Sequence, residues 1–422
     1  MAHTRLDRYE RLYSHRTGSL RSSAMRDLMA VTSRPEVISL AGGLPDTRAF
    51  PPDLLGELLQ EVASEHGPRA LQYGPTEGLH ELRQALADHM ARLGMVVGAG
   101  ELIVTTGGQQ AIDLVCRVLL DPGDPILAEG PTYPGAVPVF SACGADVHHV
   151  AMDEDGLRID ALTAAHDALV AEGRPPKLLY VIPTFHNPAG VTLSLERRRA
   201  LVAFAQDRDL LILEDDPYST LRFEGEPLPS LRSLDATGRV VYLGTLSKIF
   251  SPGIRVGWIH APHPILHRVN LSKQGADLCS SPLAQLLGLA FLEHERFGEV
   301  VGRMNRLYAA RRDAMVEALA EALPDATHVV PQGGLFLWAT LANGLDTTDL
   351  LAAALERDVA FVPGAAAYLD GVSGRSSLRL NFSAMDEERI VEGIRRIGGV
   401  VRERAALAHA LTPRARRTTG EG

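Results

Sequence analysis

Only three of the 42 Lys and Arg residues in this chain are lysines, Lys177, Lys248 and Lys273, so a reaction that needs an amine nucleophile has three candidates. Lys177 follows Pro175 and Pro176, and Lys273 sits in a polar helical stretch; both are expected at the surface. Lys248 is different. It stands just past the apolar run VVYLGT, after the hydroxyls of Thr245 and Ser247 and ahead of Arg255. Burying a lysine is costly unless its amine is used, so Lys248 is the residue expected to do chemistry.

Other groups with chemical potential follow other apolar runs. After ELIVTT comes the turn Gly107, Gly108, Gln109, Gln110, which opens a helix and could offer backbone N–H groups to a phosphate, although such glycines more often only make a turn. Tyr133 in GPTYP places an aromatic ring at a strand end, as core or as a stacking surface. Asn187 in HNPAG offers a side-chain amide beside a turn. LLILED closes on Asp215, with Asp216 and Tyr218 following; two acids there read as a solvated cap or as part of a metal site, and no matching His or Cys cluster accompanies them. His260, His263 and His267 lie close together, but Pro262 and Pro264 are expected to interrupt any helix that would align them as ligands.

The elements that must position these groups are legible as a pattern. From about residue 53 to 290, apolar runs of four to six residues alternate with helix-length segments, the signature of buried parallel strands in an α/β sheet. Ligands of such sheets collect at the carboxyl ends of the strands. A long helix near residues 295 to 323 then leads into mixed strands and helices of α+β texture. The division expected is an N-terminal segment 1–52 packing with the smaller domain near the substrate entrance, a large domain 53–295, a small domain 296–410, and a frayed tail 411–422.

Bulk properties narrow the class. A chain of 422 residues, 45% hydrophobic and 22% charged, can bury a large core. Its net charge of −10 argues against a nucleic-acid surface. Three cysteines, Cys116, Cys143 and Cys279, suit a reducing compartment, and no apolar stretch is long enough to span a bilayer. The polar N-terminus has no apolar leader core. A cytoplasmic protein without membrane or nucleic-acid partners is expected.

Taken in order, AGGLPD (41–46), YGPTEGLHELR (73–83), GGQQA (107–111), PTYPG (131–135), HNPAG (186–190), EDDPY (214–218), TLSKIFSPGIRVGW (245–258) and LRLNFS (378–383) resemble the fold type I pyridoxal-phosphate (PLP) enzymes. Within these they resemble the class I/II aminotransferases, on the branch with 2-aminoadipate and kynurenine aminotransferases. The resemblance implies an α/β large domain with a mostly parallel sheet, a smaller α+β domain, and a complete cofactor site. Lys248 would hold the cofactor as a Schiff base and shuttle the α-carbon proton. Asp215 would pair with the pyridine nitrogen, Asn187 and Tyr218 would bond the ring oxygen, and Tyr133 would stack on the ring. The phosphate would meet Gly108, Gln109, Thr245, Ser247 and Arg255, and Tyr73 from the neighbouring subunit of a homodimer. Gly43, Asn187 and Arg379 would contact substrate, Arg379 by a bidentate pair with the α-carboxylate, and Arg26 matches a position that can receive a distal carboxylate.

One departure stands out: relatives often have Ser or Thr at Gly108, so a phosphate hydroxyl is missing. The implied reaction is ping-pong transamination between an amino acid (2-aminoadipate, glutamate, or a bulky apolar or aromatic one) and a 2-oxo acid such as 2-oxoglutarate. Two alternatives remain at this point. One is another PLP chemistry, such as decarboxylation, elimination, cyclisation or oxidation. The other is the sensing domain of a PLP-binding transcription regulator, disfavoured because the roughly forty residues before AGGLPD lack a basic recognition helix and fall short of a winged-helix domain.

Overall fold

The computed structural model describes residues 9–14 and 34–411. After a short strand β1 (Ile38–Ser39), eight strands build one sheet: β2 (Leu102–Thr105), β3 (Pro125–Gly130), β4 (Asp146–Asp153), β5 (Gly156–Leu157), β6 (Leu178–Val181), β7 (Leu211–Asp216), β8 (Val240–Thr245) and β9 (Gly257–His260). Their spatial order is β2-β9-β8-β7-β6-β3-β4-β5. The neighbours from β8 through β4 pair in parallel, while β9 runs antiparallel to both β2 and β8, and β5 antiparallel to β4. Six strands therefore end on one edge, and the reversed β9 begins there.

The apolar runs become strands because both faces of the sheet are covered. Every residue of β2 and β6 is buried, and successive residues of β6 serve opposite faces: Leu178 and Tyr180 join one hydrophobic core, Leu179 and Val181 the other. β4 escapes the sequence pattern. Its residues, DVHHVAMD, are mostly only half-buried, since beyond it the sheet offers only the two-residue strand β5, so its polar side chains mask a strand that pairs with β3 along its length.

A second, four-stranded sheet holds β10 (Thr327–His328), β11 (Phe336–Thr340), β13 (Val362–Pro363) and β14 (Ser377–Asn381) in the order β10-β11-β14-β13, all antiparallel. The helix Phe297–Ala322 precedes it and packs on the helix Glu387–Leu411. The segment before residue 52 is tied to this part: β1 pairs in parallel with β12 (Val359–Ala360), and buried Asp46 accepts from Arg311 Nη2 at 2.9 Å while its own N–H donates to Tyr308.

The prolines near the histidines do not break a helix. Pro262 is the N-cap and Pro264 lies in the first turn of the helix His263–Ala276, where a missing N–H costs nothing. His263 and His267 thus stack one turn apart, with ring centroids 6.4 Å apart. Among the described residues no group of three or more His, Cys, Asp or Glu side chains is placed to hold a metal, and no helix is long and apolar enough to cross a membrane.

Candidate active site

At the edge where the parallel strands end lies a cleft of ≈ 450 Å³. Its wall is built strand by strand: Gly108 and Gln109 follow β2, Tyr133 follows β3, Asn187 follows β6, Asp215 and Tyr218 end or follow β7, and Thr245, Ser247 and Lys248 end or follow β8. Arg255 enters from just before β9, Arg379 from β14 of the second sheet, and Gly43 from the N-terminal segment. The sequence-predicted site residues are brought together here with two exceptions. Arg26 lies outside the described residues. Tyr73 is 78% exposed and away from the cleft.

Lys248 Nζ donates to the Gly43 carbonyl at 2.8 Å. Burial, reinforced by the charge of Arg379, pushes its amine down to about 8. A far larger fraction of such an amine is neutral, and so nucleophilic, near neutrality than of an ordinary lysine. Asp215 is not a solvated cap. It is buried, its Oδ2 accepts from Tyr180 Oη at 2.7 Å, and desolvation raises it to about 6. A carboxylate held this way favours a cation arriving beside it.

Opposite the lysine, Arg379 is buried and fixed by its surroundings. Its Nη1 donates to Asn187 Oδ1 at 3.1 Å, its Nη2 to the Ala41 carbonyl at 2.7 Å, and its guanidinium lies 4.4 Å from the centroid of the Phe336 ring. Burial lowers it to about 10, still charged at neutrality. Because Asn187 Oδ1 faces Arg379, its Nδ2 faces Tyr218 Oη, 3.4 Å away. The turn carrying Asn187 is braced from behind: His186 Nδ1 accepts from Ala189 N–H, His186 Nε2 lies 3.0 Å from Glu129 Oε2, and Glu129 also accepts from Ile182 N–H.

The other end of the cleft is an anion cup. The helix Gly108–Leu119 aims its free first-turn N–H groups into it. Gly107 has φ +78°, and a Cβ there would lie 2.4 Å from Arg255 Nη2, so only glycine lets the guanidinium close over the turn. Thr245 and Ser247 hydroxyls stand 2.9 Å apart on the facing strand end. Tyr133 sets its ring against the backbone of Gly135, where a Cβ would come within 2.3 Å of the ring.

One lysine was misplaced by sequence reasoning. Lys273 is not on the surface: its side chain is fully buried and donates to Asp277 Oδ1 at 2.6 Å. Polarity of neighbouring helix residues describes the outward face only, and Lys273 points inward with Leu266 and Val269. Sequence reading also missed Tyr180 and Phe336. Tyr180 left a signal, a lone hydroxyl within the apolar run LLYV that burial obliges to find a partner; Phe336 left none.

Residues 35–397 match the family described as Aminotransferase class I and II. An aromatic-amino-acid aminotransferase of Thermococcus litoralis is 39% identical over 94% of this chain and 95% of its own length. A 2-aminoadipate transaminase of Thermus thermophilus is 39% identical over 92% of this chain and 96% of its own. Among solved structures, a kynurenine aminotransferase of Pyrococcus horikoshii superimposes with a TM-score of 0.90 at 36% identity, covering 94% of this chain and 99% of that one. With its fold and cleft agreeing with that match, the chain belongs to the class I and II aminotransferases, fold type I enzymes whose cofactor is pyridoxal phosphate.

Proposed function

We propose that the enzyme moves the amino group of 2-aminoadipate, glutamate or a bulky apolar or aromatic amino acid to a 2-oxo acid such as 2-oxoglutarate, with the cleft residues in the following roles. The donor set fits the cofactor. The first-turn amides of Gly108 and Gln109, the hydroxyls of Thr245 and Ser247, and Arg255 suit its phosphate; buried Asp215 suits its ring nitrogen; Asn187 Nδ2 and Tyr218 suit its ring oxygen; and Tyr133 suits its face. The cofactor, when bound, supplies an electron sink for the substrate α-carbon.

The chain's own residues do the rest. Lys248 Nζ would hold the cofactor covalently and, as a free amine, would move the proton of the substrate α-carbon. Asp215 stays ionised against the ring nitrogen. Arg379 presents two N–H groups to the α-carboxylate and so fixes which face of the α-carbon meets Lys248. The placement of the buried Arg379 guanidinium in the same cleft as Lys248 is the observation that carries this reading, because a guanidinium held in fixed orientation at a cleft wall matches the fork geometry of a substrate carboxylate. The names of the relatives support the range of donors.

The test is a panel of amino acids added singly to the cofactor-loaded protein. The absorbance of lysine-bound cofactor should shift to that of the amine form with the preferred donors, and 2-oxoglutarate should restore it; no shift with any donor would refute the reading. The Arg379→Lys variant keeps charge but loses the fork. Its kcat/KM should fall roughly 10²- to 10³-fold, as expected for disrupting a buried charge pair, and the inhibition constants of 2-oxo acids should rise with it.

We further read 53–295 as the cofactor-binding domain, 1–52 with 296–410 as its smaller companion, and the active unit as a cytoplasmic homodimer. The exposure of Tyr73 and of Leu71, two residues before it, supports a partner that completes the phosphate cup. The three cysteines, none of them in a disulfide, suit a reducing compartment.

A further inference from the structure

Lys273 is a buried amine that none of the roles above uses. Its sole acidic partner, Asp277, ends the same helix and turns its other oxygen toward the anion cup: Asp277 Oδ2 accepts from Gln110 Nε2 at 2.7 Å and from Thr106 Oγ1 at 3.1 Å. With its Nε2 on the carboxylate, Gln110 must present Oε1 to the Thr106 N–H, and it does so at 2.7 Å. The Thr106 carbonyl in turn accepts from Arg255 Nη2 at 3.2 Å. Both groups that close the cup, the Gly107 turn and Arg255, therefore meet at Thr106, whose N–H is held through Gln110 and whose hydroxyl is held by Asp277, while Arg255 Nη1 also donates to the Pro252 carbonyl at 3.2 Å.

A buried ion pair is a poor source of stability, because desolvating two charges offsets most of their attraction. Apolar side chains of similar volume would serve a core equally well. What apolar side chains cannot do is hold a carboxylate ionised and aimed. Lys273 does this for Asp277, and Asp277 fixes the amide orientation of Gln110, which an uncharged acceptor would leave free to turn over. The cup tolerates little error, since its Gly107 backbone approaches Arg255 too closely for even a methyl group.

We propose that the buried Lys273–Asp277 pair is a positioning device for the cofactor phosphate, acting through Gln110 and Thr106 to set the turn and the arginine that receive that group. The inference rests on the cofactor reading above. Neither Lys273 nor Asp277 lines the cleft, so they act at a distance.

The test uses full-length protein freed of cofactor and measures dissociation constants for pyridoxal phosphate and for pyridoxal, which lacks the phosphate, by fluorescence quenching. Gln110→Leu removes the relay and leaves the ion pair whole; Lys273→Met removes the charge at similar volume. Each variant should bind pyridoxal phosphate about tenfold more weakly, the loss expected for a misdirected hydrogen bond to a charged group, and pyridoxal within twofold of wild type. The phosphorus resonance of the bound cofactor should shift as well. Equal weakening toward both ligands, or none toward either, would overturn the proposal, and Gln110→Leu alone decides it should Lys273→Met fail to fold. Wild-type protein that binds pyridoxal but shows no preference for the phosphate form would instead overturn the cup itself, and this proposal with it.

Discussion

Replacing Lys248 with Ala should abolish the visible absorbance of lysine-bound cofactor and reduce turnover by about 10⁴-fold, the upper range for losing one positioned acid–base group. Lys248 is the proposed covalent anchor and the one lysine lining the cleft, so no neighbour can substitute. Asp215, Asn187 and Arg379 are other polar groups of the lining, and none of them is an amine with a neutral nucleophilic form. Cofactor should still bind through the cup, the ring carboxylate and the stacking tyrosine. The measurement is a single-turnover reaction of the loaded variant with the preferred donor; a rate within tenfold of wild type would reject the assignment. In the wild type, the covalent step of cofactor capture should accelerate with pH through about 8, where the amine loses its proton, rather than near the value of an ordinary lysine. The folded empty protein holds fewer protons at this site than the unfolded chain between about 8 and the ordinary value, so its stability should rise with pH across that window. The alanine variant should lack this slope.

Asp215→Asn should lower kcat by roughly 10²- to 10³-fold, matching the 3–5 kcal/mol lost when a buried charge is left without its partner, and it should change the pH dependence of cofactor binding. In the empty cleft, burial and the nearby charge of Asp216 hold Asp215 up at about 6, against the opposing influence of the Tyr180 hydroxyl, Lys248 and His186. A carboxyl raised in this way takes up protons in the folded protein between its ordinary value and about 6. Over that window the empty protein loses stability from this group as pH rises, because a charge must be buried alone. A cationic ring nitrogen removes the penalty. Affinity for pyridoxal phosphate should therefore fall as pH drops through about 6 in the wild type, and the asparagine variant should show no such decline. Titrations of cofactor binding across roughly pH 5 to 8, a range that brackets the Asp215 transition, give the comparison; matching profiles for the two proteins would remove Asp215 from its proposed role.

Most of the large sheet was legible because burial on both faces forces an unbroken apolar run, as in LLYV and LIVT, and because chemistry gathers where such runs stop. The same logic explains what was not legible. β4 was hidden because a strand near the sheet edge keeps polar side chains, and the texture DVHHV does not distinguish edge strand from loop. Lys273 is expected at the surface from sequence because a charged residue on the inward face, in line with Leu266 and Val269, interrupts the apolar spacing that would mark that face. The prolines beside His263 were read as breakers although the first helical turn accepts them. Contacts from distant sequence, such as Phe336 beneath Arg379 or Tyr180 on Asp215, depend on which elements become neighbours, and that is decided by the whole fold.

The short reverse connection from β8 to β9 has a further consequence. Lys248 and Arg255, the proposed covalent and phosphate anchors of the cofactor, are carried by the same connection between adjacent antiparallel strands. It acts as a gauge block: the spacing between covalent anchor and phosphate anchor is set within one local unit, whose ends are already paired, rather than by the fit of two domains. Arg379 belongs to the other sheet. With the roles proposed above, a displacement of the four-stranded sheet relative to the large one would move the substrate's clamp and leave that gauge untouched, so exchange of substrate and retention of cofactor would be mechanically separate operations.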